Sequence, residues 1–151
     1  MPPAPSSRPI ALLLLLLGLL VQGLSGLWGG GALVWAPTGA LLQMPLSLLD
    51  GSPFPNYFVP GLLLLTILGM GPLIGAVGLW ERRPWAWYGA VAVGGALIVW
   101  IGVQVWMIGY HADPPLQLVY GALGALLLGL SVHPSVRRAL TDAGAARPAS
   151  G

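Results

Sequence analysis

Apolar residues fall in four long runs separated by breaks rich in Pro, Gly and polar side chains. A bilayer core about 30 Å thick takes about 20 apolar residues at a rise of about 1.5 Å each. Ile10 to Trp28, Val59 to Leu79, Trp85 to Met107 and Leu116 to Val132 meet that length, the last being the shortest. None of the four contains Asp, Glu, Lys, Arg or His. The pattern predicts an all-α, polytopic membrane four-helix bundle.

The breaks constrain how these helices are arranged. Trp80 to Pro84 is too short for anything but an antiparallel hairpin, with Pro84 suited to a first helical turn. Tyr110 to Pro115 is equally tight, and its Asp113-Pro114-Pro115 reads as an N-cap and helix start. The break between the first two runs, residues 29–58, is long. Within it Ala32 to Leu49 is apolar, but Pro37, Gly39 and Pro45 interrupt it, so it reads as an interfacial or re-entrant outer segment rather than a fifth span. Asp50-Gly51-Ser52-Pro53 then forms a turn, Phe54, Tyr57 and Phe58 suit the interface, and Pro60 opens the second helix. Pro72 lacks an N–H and predicts a kink in that helix.

Helices in lipid associate where small side chains let backbones approach. Gly71 and Gly75, then Ala86, Ala90 and Gly94, then Gly121, Ala125 and Gly129 supply such positions at four-residue spacing on the second, third and fourth runs.

Composition removes several function classes. The chain of 151 residues is 56 % hydrophobic and only 7 % charged, against roughly 25 % charged in soluble domains. It contains no Cys, which removes disulfides, thiol redox chemistry and Cys-ligated metals. The cations are six Arg with no basic cluster, so no phosphate track for nucleic acid exists. Heavy use of Gly, Ala, Pro and Leu without Lys suggests a bacterial coding sequence rich in G and C.

Charge also predicts orientation. Arg8 precedes the first run, Arg82 and Arg83 lie between the second and third, and Arg137, Arg138 and Arg147 follow the fourth. The positive-inside rule then places both tails, residues 1–9 and 134–151, in the cytoplasm of a bacterial inner-membrane protein, and the long outer segment and the His111 turn outside. Trp80, Trp85, Trp87 and Tyr88 mark the inner interface, and Trp28, Trp35, Tyr57, Trp106 and Tyr110 the outer one. The first run follows a basic residue and contains Gly23, a small residue where a signal peptide could be cleaved, yet it exceeds the usual apolar core of such peptides; a retained helix and a cleaved leader both stay open.

Chemistry is sparse. Buried ionisable groups that mark transport are missing from the runs, and no nucleophile motif, phosphate loop or metal-ligand spacing occurs, so neither an enzyme nor a cofactor or metal site is expected. The polar groups that remain gather toward the outer side. Gln104 lies near the outer end of the third run, Gln117 and Tyr120 open the fourth, and Asp50, Asn56, His111 and Asp113 come from the connections. These seven form the candidate outer polar cluster. Two readings stand: an outward pocket, or helix-to-helix hydrogen bonds with the rest solvated.

The run from Pro45 through Gly61, the Arg82-Arg83 pair, Trp100-x-x-x-Gln104 and Leu116-Gln117-x-x-Tyr120 together resemble a group of small uncharacterised four-helix bacterial inner-membrane proteins. The resemblance implies the fold and carries no activity or functional residues. The function expected is a non-enzymatic accessory or interaction subunit whose partner is another membrane protein or a second copy. A small oligomeric transporter or channel, or a lipid-binding or lipid-modifying protein, is the alternative.

Overall fold

The computed structural model describes residues 8–145, with side chains through residue 142. Five helices account for its regular structure, apart from two short 3-10 turns, and no strand occurs among the described residues. Helix α1 runs Ile10–Trp35, α2 Phe58–Trp80, α3 Ala86–Ile108, α4 Leu116–Val132 and α5 Pro134–Ala145. The first three are long and apolar enough to cross a membrane; α4 joins them if it is counted with α5, to which it is bent by 53°.

Helix α1 extends seven residues beyond the expected end at Trp28, so the outer connection begins at residue 36 rather than 29. Gly29-Gly30-Gly31 suggests a break in a lone helix. Here Gly30 lies directly against the backbone of Leu65 and Gly61, and this close packing holds the turn helical. The helix stops where Pro37 forces Ala36 out of the helical region, to φ −123° and ψ 81°.

Helix α1 is the hub, packing along α2 and touching α4 and α5, while α3 packs against α2 and most extensively against α4. Leu12, Leu15, Leu16 and Leu19 bury one side of α1 against Leu68, Leu79, Leu97 and Leu127. Leu13, Leu14, Leu17, Leu20, Val21 and Leu24 cover its other side and remain exposed. A helix surrounded by lipid keeps such an apolar outer face, because the solvent is itself apolar.

The tight glycine contacts differ from those expected on α2. A Cβ on Gly71 or Gly75 would meet its nearest neighbour at 3.8 Å, an ordinary contact. The close approach is instead between α1 and the first half of α2, where Gly23, Gly26 and Gly30 face Gly61, Gly69 and the backbone at Leu65 and Leu68. On α4 the packing glycine is Gly124, against Ile98 and the Gly94 carbonyl, whereas Ala125 and Gly129 face outward. Ala86, Ala90 and Gly94 on α3 are buried as a small-residue seam.

The stretch after residue 133, expected as a tail, carries α5. Pro134 starts it at a position where a missing N–H costs nothing, and His133 Nδ1 accepts a 3.3 Å hydrogen bond from Ser135 N. Val136 and Leu140, one turn apart, are fully or nearly fully buried and dock α5 onto the bundle. The remaining parts of the two tails, residues 1–7 and 146–151 with Arg147, lie outside the described residues.

Candidate functional site

Two contacts define the ends of the bundle. Arg8 stacks on Trp80 with its guanidinium 3.8 Å from the ring centre, which joins the start of α1 to the end of α2. Trp87 Nε1 donates a 2.7 Å hydrogen bond to the Ser131 carbonyl, joining the start of α3 to the end of α4. Arg137 then lies 5.1 Å over the Trp87 ring. Arg8, Arg82, Arg83, Arg137 and Arg138 therefore share one end of the bundle, and Asp50, Asn56, His111 and Asp113 occupy the opposite one.

At that opposite end the candidate outer residues separate. Gln117 is buried and makes two hydrogen bonds to the α3–α4 turn: its Oε1 accepts from His111 N at 2.8 Å, and its Nε2 donates to the Gly109 carbonyl at 3.0 Å. It serves the turn backbone, where Gly109, at φ 75° and ψ 175°, ends α3. The His111 ring is exposed, with Nδ1 3.3 Å from the Gly109 carbonyl. Asp113 is exposed, and Gln104 and Tyr120 are half-buried with no side-chain hydrogen bond among the described residues.

Asp50 lies apart from Gln117. With Gly51 and Ser52 it meets Trp106 and Met107 of α3 around an open depression of about 260 Å³. Asn56 Oδ1 accepts a 3.0 Å hydrogen bond from Phe58 N and thereby caps α2 locally. Of the seven residues, His111 and Gln117 are joined directly, and that bond uses the His111 backbone. Among the described residues, no group of three His, Cys, Asp or Glu side chains is placed to hold a metal.

Residues 36–57 fold into a compact cap. Two 3-10 turns, Ala40–Leu42 and Leu46–Leu49, pack near a small core of Leu33, Leu49 and Tyr57. Tyr57 ties it together, donating from Oη to the Pro45 carbonyl at 2.8 Å and from its backbone N to the Pro37 carbonyl at 2.9 Å. Burial raises the Tyr57 phenol above its ordinary 10.0, because an ionised ring oxygen would lose hydration.

Gln22, the larger of the two fully buried polar side chains beside Ser131, is one that sequence reasoning passed over. Gln22, 1 % exposed within α1, donates from Nε2 to the Leu68 carbonyl at 3.1 Å. Leu68 lies in a π-helical turn, Thr66–Met70, that widens α2 just before Pro72. In an α-helix the donor to Leu68 O would be the N–H of residue 72, which proline lacks. Gln22 supplies it from the neighbouring helix. Gln22 Oε1 is also buried and takes no hydrogen bond among the described residues. The pairing of one Gln with a Pro on the next apolar run is the signal that was legible: the proline leaves a carbonyl without its helical donor, and the buried amide needs a partner.

A second arrangement is exposed. Tyr88, Ala92, Gly95, Val99, Gly102 and Trp106 follow one another at spacings of four and three along α3 and share one face. Tyr88, Val99 and Trp106 are 70, 66 and 85 % exposed, and a Cβ on Gly95 or Gly102 would meet nothing within 4 Å. Compared with known proteins, the chain matches no family model, no curated protein and no solved structure.

Proposed function

We propose that the protein is a non-enzymatic accessory subunit of the bacterial inner membrane that presents the open face of α3 to a transmembrane helix of a partner protein. The observation that carries this reading is the contrast between two outward faces. On α1 the exposed face is continuous Leu and Val, with no gap for another helix backbone. On α3 the face has bulky aromatics at its ends and Gly95, Gly102 and Ala92 between them, a shape that accepts another helix backbone at close range. Only 17 % of the apolar stretch of α3 is buried within the chain, against 44 % for α1 and 39 % for α2.

In this reading α1 to α4 are four spans of a bundle like that of the small membrane proteins the motifs resemble. The arginine-bearing end faces the cytoplasm, as the positive-inside rule favours. The cap of residues 36–57 rests at the outer interface with its Trp35 and Phe58 edges toward headgroups. Copurification in mild detergent tests the assignment. A stoichiometric partner should accompany the native chain and be lost from Gly95→Leu and Gly102→Leu, which fill the face without touching the chain's own core. Retention of the partner by both variants, or solute flux by the protein alone in liposomes, would contradict it.

A further inference from the structure

We propose that the elbow between α4 and α5 is a binding site for one anionic phospholipid, its phosphate held by Arg137 and Arg138 and an acyl chain laid along α4. The elbow bends by 53°, and Val132, Pro134, Arg137, Arg138 and Thr141 line a concavity of about 320 Å³ there. Its lining joins the cations of α5 to Val132, 57 % exposed, at the end of α4. A phospholipid has the same two parts, with charge at the headgroup and hydrocarbon beneath.

The cations are available. Arg83 pairs with Glu81 at 2.9 Å, whereas neither Arg137 nor Arg138 belongs to a salt bridge among the described residues. The Trp87 ring, 5.1 Å from the Arg137 guanidinium, holds it at the elbow, and its N–H groups make no hydrogen bond among the described residues, so they can donate to a phosphate oxygen. Thr141 Oγ1 lies 3.2 Å from the Arg137 carbonyl and 3.1 Å from that of Arg138. Its hydroxyl is thereby tied into the helix, and the site is built by the two guanidiniums. Docking of Val136 and Leu140 into the core fixes the arginines at the bundle's edge.

The hydrocarbon part follows from α4. Leu118, Ala122, Ala125, Gly129 and Val132 lie on one exposed face, and a Cβ on Gly129 would meet nothing within 4 Å. Between Leu118 and Val132 this face is a shallow track of small side chains ending at the arginine elbow. At about 1.5 Å per residue it rises roughly 20 Å, more than half of a ~30 Å core and so enough for one leaflet's chain. The site is separate from the open face of α3 and does not rest on the accessory-subunit reading.

Native mass spectrometry of the full chain, titrated with phosphatidylglycerol or phosphatidylcholine, tests the site. One phosphatidylglycerol should bind in preference to phosphatidylcholine. Arg137→Gln and Arg138→Gln should each weaken it about fivefold and the double variant about 25-fold, the scale of one surface arginine against an anionic lipid. Arg82→Gln, at the same end, should leave it unchanged. Gly129→Leu, which obstructs the track in open space, should weaken the lipid as well, and millimolar inorganic phosphate should not displace it. Equal binding of the two lipids, or an equal loss in Arg82→Gln, would overturn the proposal in favour of diffuse charge. Full displacement by inorganic phosphate, or unchanged affinity in Gly129→Leu, would overturn its lipid assignment.

Discussion

Gln22 Nε2 donates to the carbonyl oxygen of Leu68 across 3.1 Å, replacing the donor that Pro72 removes from α2. The proline, the π-helical turn and the glutamine are therefore one unit, spread over two helices. The unit makes a double-mutant cycle decisive. Gln22→Leu should destabilise the chain by about 0.6–1.7 kcal/mol, between the mean and the upper end measured for hydrogen bonds between membrane helices. In a Pro72→Ala background residue 72 regains its N–H, and the same substitution should cost less. Reversible unfolding in mixed micelles measures both; equal costs in the two backgrounds would separate Gln22 from the proline.

Glycine substitutions should divide by where the Cβ goes. On Gly26 it falls on the Leu68 carbonyl, and on Gly30 on the backbone of Leu65, neither of which yields as a flexible side chain does. Gly26→Ala and Gly30→Ala should therefore destabilise by about 1–3 kcal/mol. Gly31→Ala and Gly95→Ala, where nothing lies within 4 Å, should fall within about 0.5 kcal/mol of the native chain. Gly71→Ala and Gly75→Ala should be mild too, since their neighbours stand at 3.8 Å. Thermal unfolding of the six variants in one detergent ranks them.

The positions of the long apolar helices were legible because a bilayer imposes one length on every span, and length is read directly along the chain. Which glycines pack was not. Gly71 and Gly75 have the expected spacing, but the faces they occupy depend on the π turn at Thr66–Met70, which rotates the second half of α2 relative to the first. The extension of α1 past Gly29-Gly30-Gly31 depends likewise on a tertiary contact, the seating of Gly30 on α2. Helix α5 was hidden for another reason: its apolar side is Val136, Ala139 and Leu140, too little to distinguish a docked helix from a solvated tail. In the outer cluster, residue types gave the neighbourhood but not the partners. Gln117 could reach the third helix or the turn, and the tight link let it bond the backbone at His111 and Gly109.

Stability should fall at high pH because of Tyr57. Its phenol holds its proton more tightly in the folded chain than in the unfolded one, so the contribution is complete below pH 10 and declines above it, as the unfolded state begins to ionise first. Tyr57→Phe loses the hydrogen bond to the Pro45 carbonyl and should cost about 0.5–1.5 kcal/mol near neutral pH. Its unfolding midpoint should then depend less on pH above 10 than that of the native chain. Parallel slopes for the two proteins would remove Tyr57 as the cause.

Orientation has a direct assay because the sequence has no Cys. Single cysteines at Ser52 or Ala112 should react with a membrane-impermeant thiol reagent added to intact spheroplasts, and cysteines at Arg83 or Arg138 should react once the membrane is opened. Labelling of either arginine position in sealed cells would reverse the topology.

The open face of α3 is tested most directly by a single cysteine at Val99, which lies between Gly95 and Gly102 and is 66 % exposed. A benzophenone attached through a maleimide to Val99→Cys should give, on illumination in native membranes, one discrete protein adduct. Val99→Cys combined with Gly102→Leu, and a cysteine at Leu17 on the leucine face of α1, should give none. An adduct of twice the chain's own mass would show a second copy on that face, and crosslinks to lipid alone would show it bare; either result would contradict the accessory-subunit account.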